Sequence, residues 1–217
     1  MDEHTHIRIK FGKYPQKECT EDGEDIFVND GKKYLIQPLK WTLLYSDDEY
    51  YYFISDIILK PVGSGCKIFC NDMNSKYTSF YDSNARAYLN IEFLDYAFNE
   101  EERNLIEPVM RGCTVKTGFR ENKTVYCKDK VSLISIHESS SLDIRNRKLV
   151  EETNYNYSCD HSVVTRDFDT NVMYGNLITT SGETVGIMWC CWVGFRPYIA
   201  FSKNDYCKLK KFEFIYY

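Results

Sequence analysis

The run SNARAYLNIEFLDYAFNEEERNLIEP, residues 83–108, is the one strongly helical stretch in a chain otherwise patterned as strands. Ser83 suits the N-cap of a helix from Asn84 to about Phe98. Leu89, Phe93 and Ala97, with Tyr88 and Leu94 beside them, recur at helical spacing and give an apolar stripe. Asn99 followed by Glu102 is a capping box for a second short helix that ends before Pro108. Glu100, Glu101 and Glu102 suit the positive end of that helix's dipole and read as a solvated first turn. Helices in the middle of a strand-rich chain make the fold class α+β.

On the N-terminal side, His6 to Phe11 alternates, with Ile7, Ile9 and Phe11 on one face. Gly12 and Pro15 read as a turn after that strand. Glu18 to Gly31 is acidic and polar, an excursion holding a short strand. Leu39 to Tyr45 and Tyr50 to Leu59 flank Ser46-Asp47-Asp48-Glu49 and predict a hairpin. On the C-terminal side, Lys130 to Ile136 alternates. Ser135 and Glu138 form another capping box, opening a short helix near His137 to Leu142. The last third predicts short strands and long loops: Asp160 to Asp167, Leu177 to Thr180, Thr184 to Cys190 and Pro197 to Phe201, with Ser181-Gly182 turning between two of them. Phe212 to Tyr217 reads as a final core strand, with a docking strand for a larger assembly as the other reading. With no repeat and no Pro/Gly/Ser linker, residues 1–217 are expected to form a single domain.

Hydrophobic residues are 43% of the 217 residues and charged residues 27%, a globular balance. Aromatic residues reach 16%, carried by 18 Tyr, 13 Phe and 3 Trp. Such a surplus suits β-rich folds and contact surfaces, and equally a genome whose codons favour Tyr. The net charge of −5 and the lack of a basic block exclude an electrostatic nucleic-acid or membrane footprint. The start MDEHTHIRIKFGKYPQ lacks a signal-peptide pattern, and no apolar run spans a bilayer. The nine cysteines are odd in number and scattered, so reduced thiols in the cytoplasm are the expectation.

Six ordered segments resemble a bacterial family described as domain of unknown function 6273, related to C-type-lectin-like and formylglycine-generating-enzyme-like folds. Phe11-Gly12-Lys13-Tyr14-Pro15-Gln16 looks like the family's opening FGKYPQ, and Pro38-Leu39-Lys40-Trp41 like its P-I-E-W strand. Tyr52 to Leu59 looks like its L-L-I-S-x-x-I-L segment. Asn84 to Glu102 looks like its helix pair, and Asp129 to Ser135 like its D-K-V-F-L-L-S strand. Gly194-Phe195-Arg196-Pro197-Tyr198-Ile199 looks like its closing G-V-R-P-A-L. Where the family carries W-W-L-R-S-P-G, this chain has Val163-Val164-Thr165-Arg166-Asp167. That loop is replaced, and its ligand contacts do not carry over. The resemblance implies a C-type-lectin-like fold of mixed antiparallel sheets, two or three short helices and long C-terminal loops.

Phe11, Gly12, Pro15, Trp41, Arg196 and Pro197 read as structural motif residues, with Trp41 in the core. Arg196 is read as holding loop carbonyls or a carboxylate through its planar fork. For ligand contact, the aromatic and amide runs Tyr155-Asn156-Tyr157-Ser158 and Trp189-Cys190-Cys191-Trp192 stand out. In lectin-like folds the ligand surface is built from C-terminal loops, and the resemblance points to the same place. The candidate contacts are Tyr155, Asn156, Tyr157, Arg166 and Asp167, together with Asn176, Trp189 and Trp192. Asp160, Asp167, Asp169, Asn171 and Asn176 have no metal-diagnostic spacing, so no metal or cofactor is assigned.

The expectation is a non-enzymatic binding module for a protein or glycan ligand. One version makes it the diversified target of a diversity-generating retroelement, since such targets use this fold and vary at C-terminal positions. The alternatives are a formylglycine-generating-type, metal-dependent thiol oxidase acting through Cys190 or Cys191, and an accessory domain of a larger assembly. Adjacent cysteines on a strand point to opposite faces, which counts against the oxidase. Cys66 and Cys70 lack the further converging ligands of a zinc site. His4, His6, His137 and His161 form no motif.

Overall fold

The computed structural model describes residues 7–29, 31–59, 80–116, 122–135, 138, 162–164, 174–179, 184–188, 195–209, 211–212 and 214–216. In chain order these form β1 (Ile7–Cys19), β2 (Ile26–Asn29), β3 (Lys32–Ser46), β4 (Tyr50–Ser55), α1 (Asn84–Asn90), α2 (Glu92–Ala97) and α3 (Glu100–Leu105). There follow β5 (Val109–Lys116), β6 (Asn122–Asp129), β7 (Val131–Leu133), β8 (Ser162–Val164), β9 (Tyr174–Thr179), β10 (Thr184–Met188), β11 (Pro197–Ser202) and β12 (Phe214–Tyr216). The architecture is α+β, with antiparallel sheets and few short helices. The main sheet runs β12-β1-β3-β4-β11-β7, with β2 added to β3. The first and last strands pair, Ile7 opposite Tyr216. β10-β9-β8 form a second sheet and β5-β6 a third.

The Gly12–Pro15 segment is not the turn expected from its residues. β1 runs through it and absorbs one extra residue between Lys10 and Lys13, and another between Pro15 and Lys17. The first bulge has a clear physical effect. Ile9 and Phe11 face inward before it, and Tyr14 faces inward after it, so the extra residue moves the buried register from odd to even positions. Gly12 supplies the required backbone, with φ at 71°. A Cβ there would also lie 2.5 Å from the Phe98 ring and 2.8 Å from the Ala97 carbonyl. The Gly12 N–H donates to Glu102 Oε1 (3.0 Å), while Glu102 Oε2 accepts from Asn99 N (2.9 Å). One carboxylate therefore closes the capping box of α3 and fixes the bulge of β1. At the second bulge, the Gln16 amide donates to the carbonyls of Gln37 (2.9 Å) and Pro38 (3.1 Å).

The long helix expected from Asn84 to Phe98 breaks at Ile91, which is exposed. The N-caps are as the sequence expects: in α1 the Ser83 hydroxyl accepts from Arg86 N, and in α3 the Asn99 amide oxygen accepts from Glu102 N. The break lets Asn90 turn to the edge strand β7, where its side chain accepts from Val131 N (3.1 Å) and donates to Val131 O (2.8 Å). A side-chain amide thus satisfies the sheet edge that has no further strand among the described residues. Tyr88, Leu89, Phe93, Leu94 and Ala97 pack on the main sheet's inner face with Ile9, Phe11, Trp41, Phe53, Ile199 and Phe201. Trp41 is fully buried and its indole N–H donates to Phe11 O (2.7 Å). The β5–β6 hairpin has no counterpart among the expected strands. The C-terminal residues do supply a strand, β12, and Phe212 stacks edge-on against Phe11 at 4.8 Å.

Candidate functional site

β3, β4, β11 and β7 have a second buried face, opposite the helices. Alternation puts Thr42, Ile54, Tyr198 and Ser132 there, since these residues pair across the strands. A bulge between Leu43 and Tyr45 then brings Tyr45 onto this face opposite Tyr52.

One end of the face is ionic. Asp56, 1% exposed, receives Arg8 Nε at 3.2 Å and the Thr42 hydroxyl. Arg8 Nε also donates to Thr42 Oγ1 (3.1 Å). Arg196, 4% exposed, donates through Nε to the Ser55 carbonyl. Burial lowers the Arg196 pKa to about 10, and the nearby Asp56 charge partly opposes that shift. Arg8 pairs with Asp56 while Arg196, just before β11, bonds the Ser55 carbonyl beside it, which ties the segment after β4 to β11. The same region is closed by backbone bonds in both directions between Leu59 and Phe195 (2.8 and 3.0 Å). The arginine of the Gly194-to-Ile199 motif thus holds a carbonyl beside a buried carboxylate. Pro197, also buried, opens β11 opposite Leu133.

The other end is aromatic. Tyr45 stacks on Tyr52 with centroids 4.5 Å apart, and Tyr52 on Tyr198 at 5.7 Å. The Arg111 guanidinium, from β5, lies 4.4 Å from the centre of the Tyr198 ring. The Tyr45 and Tyr198 hydroxyls bond to each other, and the Tyr52 hydroxyl donates to Asp47 Oδ2 (2.6 Å) in the β3–β4 turn. Burial, then the Asp47 contact, raises the Tyr52 pKa; burial does the same for Tyr198. These phenols stay protonated at neutral pH and act as hydrogen-bonding groups rather than bases. Burial pushes the Asp47 carboxyl up, but the Tyr52 hydroxyl and the N–H groups of Tyr50 and Glu49 outweigh it and hold the pKa low.

The β5–β6 hairpin stands beside this stack. Its inward face carries Arg111, Cys113, Cys127 and Asp129, all buried. Arg86 of α1 grips Asp129 through Nε (2.8 and 3.1 Å) and Nη2 (2.9 Å). Its outward face exposes Met110 and Tyr126. Tyr45, Met110 and Tyr126 are therefore accessible apolar groups of a kind that contact surfaces use. A separate open groove of about 470 Å³ is lined by Asn90, Ile91, Leu94, Asp95, Glu100, Arg103, Asn104 and Lys130. Three of its polar residues are engaged with one another: Arg103 pairs with Asp95, and Lys130 donates to the Arg103 carbonyl.

Of the ligand-contact residues inferred from sequence, Tyr155, Asn156, Tyr157, Arg166, Asp167, Trp189 and Trp192 lie outside the described residues. So do Cys66, Cys70, Cys190, Cys191 and the four histidines. Asn176 is placed by its backbone in β9, opposite Gly186 of β10. Among the described residues no group of three or more His, Cys, Asp or Glu could hold a metal, and no helix is long and apolar enough to cross a membrane. The tyrosine stack was not visible in the sequence, because the bulge at Leu44 decides where Tyr45 points.

Comparison with curated proteins gave no match, and comparison with solved structures gave none. A family model, a domain of unknown function (DUF6273), matches residues 53–184. That span runs from β4 to the start of β10 and covers more than half of the chain. It includes the helix segment and the Asp129-to-Ser135 strand, and leaves outside it Phe11-to-Gln16, Pro38-to-Trp41 and Gly194-to-Ile199. The chain belongs to the DUF6273 family.

Proposed function

We propose that the chain is a non-enzymatic binding module of C-type-lectin-like fold, with residues 1–217 forming one domain and its ligand a protein or glycan. The observation that supports this reading most is topological. β7 and β11 are antiparallel neighbours in the main sheet, yet residues 134–196 separate them and carry the second sheet, β8–β10. A short turn would join two such strands. The intervening segment instead carries two runs that combine aromatic and small polar residues, Tyr155 to Ser158 and Trp189 to Trp192. Rings with amide neighbours offer stiff contact area to sugar faces or protein side chains. The main sheet, with Asp56 and Arg196 buried and Arg8 part-buried against Asp56, suits a scaffold that presents loops.

The test is a glycan array and an immobilised-protein panel probed with the wild-type chain and the variants Tyr155→Ala and Trp192→Ala. The proposal expects a glycan or protein hit whose binding falls at least tenfold in one variant, since stacked aromatic anchors dominate such contacts. A hit bound equally by both variants would place the contact surface elsewhere.

A further inference from the structure

We propose that Cys113 and Cys127 are a dithiol pair that closes to a disulfide across the β5–β6 hairpin when the chain meets a small disulfide oxidant. The register sets Cys127 opposite Arg111 and Cys113 opposite Val125, so the two cysteines are diagonal neighbours on the inward face. Their sulfurs lie 3.4 Å apart, in direct contact. Both are buried, at 1% and 2% exposure. Bond formation requires an approach of about 1.4 Å from that separation, shared between two side chains. The hairpin holds this geometry at its base. Arg86 grips Asp129 from one side, and Arg111 Nη1 donates to the Asp129 carbonyl at 3.3 Å. The sulfurs thus sit two residues from a clamped point rather than at a frayed end.

The chemistry is thiol–disulfide exchange. One cysteine, as thiolate, attacks a sulfur of the oxidant RSSR; its proton goes to the departing RS⁻, giving RSH and a mixed disulfide on the protein. The second cysteine, as thiolate, attacks the protein sulfur of that intermediate and expels the second RS⁻, which takes the second proton. The pair is oxidised by two electrons and RSSR is reduced to two RSH. Because both sulfurs are buried, the first attack needs the hairpin to open, while the finished bond is shielded from reductant.

The experiment uses the full chain. It is reduced, freed of reductant, incubated with oxidised glutathione, alkylated with iodoacetamide in denaturant and digested with trypsin without reductant. Cleavage after Arg111, Lys116, Lys123 and Lys128 releases Gly112–Lys116 and Thr124–Lys128 as separate peptides. The proposal expects these two joined, two hydrogens lighter than their sum, as the major form of both, and separated by reductant. In Cys113→Ser, Cys127 is then recovered alkylated or as its glutathione adduct. In the wild-type chain, recovery of both peptides chiefly alkylated, glutathionylated or joined to other cysteine peptides overturns the proposal, a result that needs no variant to fold.

Discussion

Gly12→Ala separates two costs that glycine usually hides together. The first is backbone: with φ at 71°, any residue with a Cβ loses about 1–2 kcal/mol. The second is space. The new methyl would stand 2.5 Å from Phe98 Cδ1 and Cε1 and 2.8 Å from the Ala97 carbonyl oxygen. The ring has little room to retreat, because Phe11, Trp41 and Phe93 hold it at centroid distances of 5.4, 6.1 and 5.7 Å. Overpacking of this kind costs about 1–3 kcal/mol, so the total is about 2–5 kcal/mol. Gly31→Ala is the internal control. Gly31 has φ of 76° with nothing within 4 Å of the added carbon, so it should lose only the backbone cost. In urea unfolding followed by tryptophan fluorescence, a slope of about 3 kcal/mol/M turns the Gly12 cost into a midpoint drop of about 0.7–1.7 M. Equal drops for the two variants would refute the packing argument, and a Gly12→Ala drop below about 0.3 M would refute both parts of it.

Other variants test the remaining supports. Glu102→Ala removes the acceptor of both Asn99 N and Gly12 N and should cost about 1–3 kcal/mol by urea unfolding, with Glu102→Gln costing less. Asp56→Ala leaves Arg196 buried without its neighbouring carboxylate and should cost about 3–5 kcal/mol; a change below about 1 kcal/mol would show that the cluster is no stronger than a surface pair. For Asp47 the folded pKa is lowered, so its stabilisation is complete above the unfolded value of about 3.9 and is lost as pH falls through the lower folded value. Carbon-detected NMR titration should find its carboxyl midpoint below 3.9, and Tyr52→Phe should move that midpoint upward. Closing the Cys113–Cys127 bond encloses a loop of residues 113–127 and should stabilise the chain by about 3 kcal/mol, read as a higher melting temperature of the oxidised form.

The local chemistry of the fold is legible in the sequence. Ser83 and the Asn99/Glu102 box cap as their types dictate. Ser135 and Glu138 make the two bonds of the expected box, Glu138 N to Ser135 Oγ at 2.9 Å and Ser135 N to Glu138 Oε2 at 2.7 Å, while the helix expected near His137 to Leu142 lies, apart from Glu138, outside the described residues. The β3–β4 hairpin follows from its aromatic runs around Asp47, whose side chain accepts from Glu49 N and Tyr50 N. Features set by distant partners are not legible. Gly12 looks like a turn until Phe98 and Glu102 are seen against it. Ile91 interrupts a good helical period because Asn90 serves β7, far away in sequence. The β5–β6 hairpin escapes a hydrophobic pattern because its polarity is inverted, with Arg111 and Asp129 inside and Met110 and Tyr126 outside. The tyrosine stack depends on a bulge at Leu44, which residue types alone do not mark. The sequence-inferred ligand contacts other than Asn176 lie outside the described residues, so their support is the topology that separates β7 from β11.

The central claim is that residues 134–196 present the ligand surface while the main sheet serves as scaffold. A ¹H–¹⁵N NMR titration of the labelled chain with its tightest array ligand tests this most directly. The account predicts shifts concentrated between Thr153 and Trp192, with the amides of β1, β3 and β4 unmoved. Shifts centred instead on the Asn90–Arg103 groove or on Met110 and Tyr126 would contradict it.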